Sequence, residues 1–97
     1  MNNTSPEKPI LHLLVVEDSA KDFEIIREQL RASGFDVEML RVENESDLRK
    51  NLLRSNFDII ISDFRLPGFD AFGALMAVKE ITPSTPFICC SGSIGEE

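Results

Sequence analysis

Three short segments of this chain are apolar almost without interruption: Ile10 to Val16, Phe57 to Ile61 and Pro86 to Cys90. A strand with one wet face alternates apolar and polar residues. These runs do not, which suits strands of a parallel sheet covered by helices on both faces. The segments between them have helical spacing. Phe23, Ile26 and Leu30 fall at i, i+3 and i+7, Ser19 with Asp22 forms a capping box, and Gly34 stops the helix. Leu48 and Leu52 mark the core face of a second helix with Asn44 as its N-cap. Ala71, Leu75 and Val78 mark a third, opened by Asp70. A weaker strand, Val37 to Val42, carries Glu38 and Arg41 among its apolar residues and reads as an edge strand with one partly wet face. The order β-α-β-α-β-α-β predicts an α/β fold built on a doubly wound parallel sheet.

At 97 residues, with 42% hydrophobic and 28% charged, the chain has the composition of one ordinary globular domain. A net charge of −7 argues against nucleic acid or an anionic membrane as a direct partner, since both demand a basic face. Phosphate would then be met by a metal or by backbone amides. Cys89 and Cys90 are adjacent, a poor arrangement for a structural disulfide, and read as small buried core residues in a reducing cytoplasm. His12, early in the first strand, reads as a surface or packing residue. Residues 1–9, MNNTSPEKP, read as a flexible polar tail rather than a signal peptide, and no apolar run is long enough to cross a bilayer.

In open parallel sheets, ligands bind beyond the carboxyl ends of the strands, where the strand order reverses. The first strand ends in Glu17 and Asp18, the third in Ser62 and Asp63, and the fourth in Ser91 and Gly92. If the first and third strands are neighbours, as in the order 2-1-3-4, three carboxylates meet at one sheet edge. Held together they repel unless a cation lies between them. Mg²⁺ takes one or two carboxylates, keeps several waters and leaves room for phosphate oxygens. The grouping therefore predicts Mg²⁺-assisted phosphoryl transfer with a carboxylate nucleophile.

The run DIIISDFRLPGFD, from Asp58 to Asp70, resembles the phosphoacceptor segment of response-regulator receiver domains of bacterial two-component systems. LLVVEDS resembles that family's first strand with its acidic pair, and FICCSGS its fourth strand with a switch hydroxyl. The resemblance covers roughly residues 10 to 97, with the motifs in the family's order. It implies a flavodoxin-like receiver fold in which Asp63 accepts a phosphoryl group from a sensor histidine kinase or phosphotransfer protein. It further implies Asp18 as a Mg²⁺ ligand, Glu17 acting through a bound water, and the Arg65 backbone carbonyl completing the protein's share of the coordination. Ser91 would hydrogen-bond the phosphoryl oxygen, Gly92 would leave access, and Pro67 with Gly68 would fix the turn.

The family also carries a lysine at the end of a fifth strand. The lysines here are Lys8, Lys21, Lys50 and Lys79, so the chain is expected to be a receiver domain truncated at Glu97, lacking that strand and the last helix. The exposed edge of the fourth strand then invites a homodimer. Other readings of the same residues are a helix cap at Asp63 or Asp18, a solvated acid at Glu17 and a turn at Ser91. Two other functions compete: a phosphorylation-independent interaction module, and a Mg²⁺ phosphohydrolase. The second usually has an acid two residues after its nucleophile, where this chain has Arg65.

Overall fold

The computed structural model describes residues 9–63 and 71–90. The strands are β1 (Ile10–Val16), β2 (Asp36–Val42), β3 (Ile59–Asp63) and β4 (Phe87–Cys90). The helices between them are α1 (Ala20–Ala32), α2 (Glu45–Arg54) and α3 (Ala71–Ile81). All strand pairs are parallel, and the sheet order is β2-β1-β3-β4, as expected. The chain leaves β1 to one side to form β2 and crosses back to form β3 on the other. The switch in strand order therefore falls between β1 and β3.

Burial follows from the period-two alternation of the central strands. Leu14 and Val16 of β1, Val42 of β2 and Ile60 of β3 point to one face and pack against Leu48 and Leu52 of α2 and Ala74, Ala77 and Val78 of α3. Leu13 and Val15 point to the other and pack with Val37 and Phe23, joined by partly buried Ile26 and Leu30 of α1. Four consecutive β1 residues, Leu13 to Val16, are thus buried although neighbouring side chains face opposite ways.

The helix ends have local causes. Ser19 Oγ accepts from the Asp22 amide at 3.1 Å, and Asn44 Oδ1 accepts from the Asp47 amide at 2.8 Å, each satisfying a first-turn donor. Gly34, at φ +96°, takes the left-handed turn that ends α1. Between α2 and α3, Arg49 bridges Glu45 at 2.8 Å and Glu80 at 2.7 Å. No described helix is long and apolar enough to cross a membrane.

Three local expectations are corrected. The third strand begins at Ile59 rather than Phe57, because Asp58 is tied across to β1: its amide donates to the His12 carbonyl at 2.7 Å and its Oδ2 accepts from the His12 amide at 2.8 Å. Phe57 sits ahead of the strand and packs on the α2–α3 side. In α3 the buried face is Ala74, Ala77 and Val78, with Leu75 only half-buried. The small alanines face the core there, while the Ala71 side chain lies outside the described residues. Cys89 and Cys90 are not core residues: Cys89 is exposed and Cys90 half-buried. Their strand pairs with β3 and with no other described strand, and Ile88 beside them is also exposed.

Candidate functional site

The strand register brings the acids together. Val16 of β1 pairs with Ser62 of β3, so the next residues, Glu17 and Asp63, fall level at the carboxyl ends of adjacent strands. Asp63 in turn pairs with Cys90 of β4. Each of Glu17, Asp18 and Asp63 offers a carboxylate oxygen such that the three oxygens lie within 4.8 Å of one another. Glu17 and Asp63 are buried, at 4% and 8% exposure, and Asp18 is exposed. Acids are seldom this buried in a fold of this size, which makes the pair informative.

Glu17 is held by its surroundings at several points. Its amide continues the β1–β2 ladder by donating to the Val42 carbonyl at 2.9 Å. Its Oε2 accepts from the Ser19 amide at 3.1 Å, which folds the loop back toward the start of α1. Burial pushes its carboxyl up to about 7 against the Ser19 hydrogen bond, which pulls it down, and the Asp63 and Asp22 charges and the Asp18 side chain add to the rise. A small pocket lies against this group, lined by Glu17, Asp22, Ile25, Asp63 and Cys90 among others. The Cys90 thiol there is also pushed up, first by burial and then by neighbouring charge. Beneath the site Ser62 is fully buried and its hydroxyl donates to the Asp63 carbonyl at 3.2 Å.

Of the residues singled out from the sequence, Glu17, Asp18 and Asp63 are brought together. Arg65 and Ser91 lie outside the described residues, as do Pro67, Gly68, Asp70 and Gly92. Two further residues join the site. Asp22, read from sequence only as a helix-start residue, also lines the pocket. Arg41 reaches across from β2 to the carbonyls of Glu17 at 3.3 Å and Asp18 at 3.5 Å. Its only sequence signal is a charge that interrupts an apolar edge strand.

The donor set consists of hard carboxylate oxygens from two strand ends, which fits Mg²⁺ better than a soft metal. The raised Glu17 carboxyl, set first by burial and then by the neighbouring acids, favours its protonated form in the absence of a cation.

Acids at the carboxyl ends of adjacent parallel strands, where the strand order switches, make the ligand site of an open α/β sheet. A family model, the response regulator receiver domain, matches residues 13–97, and the chain belongs to that family. It is 28% identical over 96 residues to the autoinducer 1 sensor kinase/phosphatase LuxN of Vibrio campbellii, a match covering 99% of this chain and 10% of that protein. The chain therefore spans about a tenth of the length of that curated relative. A response regulator from Hahella chejuensis superposes with a TM-score of 0.75 at 25% identity, covering 89% of this chain and 67% of that one. The receiver domain of sensor histidine kinase PA1611 from Pseudomonas aeruginosa PAO1, solved with a magnesium ion in its active site cleft, superposes at 0.71 with 23% identity. That match covers 91% of this chain and 73% of the PA1611 domain.

Proposed function

We propose that this receiver domain takes a phosphoryl group onto Asp63, with Mg²⁺ as cofactor and a phosphohistidine as donor. The observation that carries the reading is the convergence of Glu17, Asp18 and Asp63 at the switch in strand order. An Asp63 carboxylate oxygen attacks phosphorus in line. The new O–P bond forms as the P–N bond to imidazole breaks, and the ring nitrogen leaves with the electron pair and takes up a proton. Bound Mg²⁺ would neutralise charge that builds on the phosphoryl oxygens. Asp18 and Asp63 would hold the ion directly and Glu17 through a water, with the Arg65 carbonyl and the Ser91 hydroxyl completing the site. The two buried acids need only be ionised and aimed, because phosphoryl transfer asks little covalent work of the protein.

The donor is proposed to be a sensor histidine kinase or a phosphotransfer protein. Support comes from kinases among the matches, LuxN and PA1611 for example, each of which contains a segment like this one. The interaction-module reading has less support at the site, since binding through a surface does not require two buried carboxylates side by side. One observation favours it elsewhere: Ile88 and Cys89 expose an uncharged strand, against which a second copy of this chain could pair. Sedimentation tests that part: the chain self-associates and Ile88→Lys weakens the association, whereas a monomer at all concentrations refutes it.

The phosphoacceptor reading is tested by transfer of radiolabelled phosphoryl from a phosphorylated histidine phosphotransfer protein. Label is expected on the wild-type chain in Mg²⁺, and not in excess chelator or on Asp63→Asn. Label that persists on Asp63→Asn would move the chemistry to another residue.

A further inference from the structure

We propose that Arg41 is a positioning residue for the acidic site: its guanidinium fastens the β1–α1 loop so that Glu17 and Asp18 are presented toward Asp63. The proposal rests on the phosphoacceptor reading above and deepens it. The last ladder pair between β1 and β2 is Val16 with Val42, extended by the Glu17 amide donating to the Val42 carbonyl at 2.9 Å. The next two carbonyls, of Glu17 and Asp18, lie past the ladder. Arg41 Nη1 donates toward both, at 3.3 and 3.5 Å. A single guanidinium nitrogen therefore lies within reach of two consecutive carbonyls of the loop that carries the acids.

The guanidinium is itself held. Its Nη1 pairs with Glu43 Oε2 at 3.0 Å, and the Arg41 side chain is 28% exposed. From the other end, Ser19 donates to Glu17 Oε2 and caps α1 through Asp22. The loop is thus tied to β2 at one end and to the helix start at the other. Direct neutralisation of the carboxylates is a different role and is not the one the contacts describe. Arg41 addresses carbonyl oxygens, and the groups that act on the Glu17 carboxyl are Ser19, Asp63, Asp22 and Asp18 together with burial. Lysine keeps the positive charge, as a compact and strongly hydrated ammonium, but lacks the rigid planar head.

The test is a calorimetric Mg²⁺ titration of the full chain, with amide exchange at Ser19 followed in the same samples. The variants are Arg41→Met, Arg41→Lys and, as a remote control, Arg49→Met. Arg41→Met keeps the apolar stem and is expected to weaken Mg²⁺ binding roughly tenfold, as loss of a residue supporting a metal ligand does. Exchange at Ser19 is expected to quicken by a similar factor, and Arg41→Lys to fall between. Arg49→Met loses an ion-pair bridge between α2 and α3 and is expected to bind Mg²⁺ as wild type does. A loss of stability alone does not mimic the effect, because apparent affinity falls only when the folded fraction does. Wild-type Mg²⁺ affinity in Arg41→Met overturns the proposal, whatever the exchange rate. If the wild-type chain itself binds no Mg²⁺, the metal reading under Proposed function fails. Ser19 exchange then decides Arg41 alone: quickened exchange upholds the fastening, and unchanged exchange overturns it.

Discussion

Glu17 is 4% exposed and has two other carboxylates with oxygens within 4.8 Å, so it holds either a proton or a share of a cation. The two options have opposite pH dependence. Its carboxyl is raised from an ordinary 4.5 to about 7 in the metal-free fold, so the folded state binds that proton more tightly than the unfolded chain. The stability it contributes is fully present below 4.5 and is lost as pH rises through about 7. Chemical denaturation in chelator is expected to show this decline, and Glu17→Gln to flatten it. Mg²⁺ needs the ionised acid, so its affinity is expected to climb over the same range, with proton release on binding at pH 6. Calorimetry in two buffers of different ionisation enthalpy checks the proton count; a pH-independent affinity would remove Glu17 from the metal's surroundings. At this scale the acids were legible because each ends an apolar run. Arg41 was not, since a guanidinium acting on backbone carbonyls of a neighbouring strand leaves no spacing pattern.

The elements stand on a few local devices and two packed faces. Ser19→Ala removes the oxygen that accepts the Asp22 amide, and is expected to cost about 1 kcal/mol. Leu48→Ala opens a cavity under α2 at a fully buried position, and is expected to cost about 2–5 kcal/mol. Urea titration reads both, and a loss under half a kilocalorie at Leu48 would contradict the packing described. The caps at Ser19 and Asn44 and the stop at Gly34 were legible from residue type alone, because each satisfies a fixed backbone requirement. The start of β3 and the phase of α3 were not. The first depends on a backbone tie between Asp58 and His12, residues 46 apart, and the second on small alanines packing where a larger residue was expected to. Burial of the cysteines was misjudged for a related reason. Apolar composition says that a strand suits the core, but cover on both faces is supplied by other elements.

The whole chain carries a net charge of −7, and part of that charge converges at one sheet edge, so a divalent cation is expected to stabilise the fold by mass action. Thermal unfolding with increasing Mg²⁺ should shift upward, and the shift should shrink in Asp18→Asn. The doubly wound parallel sheet was legible because apolar runs and helical spacing alternate, whereas the order β2-β1-β3-β4, which brings the ends of β1 and β3 side by side, came with the resemblance to receiver domains. What such alternation cannot carry is chemistry, which depends on the acids at those ends. The most direct test of their role is intact-mass measurement of the chain after incubation with Mg²⁺ and a small acyl phosphate. The account expects one added phosphoryl group, absent in chelator and absent from Asp63→Asn. An unmodified wild-type chain, or an adduct that survives on Asp63→Asn, would contradict it.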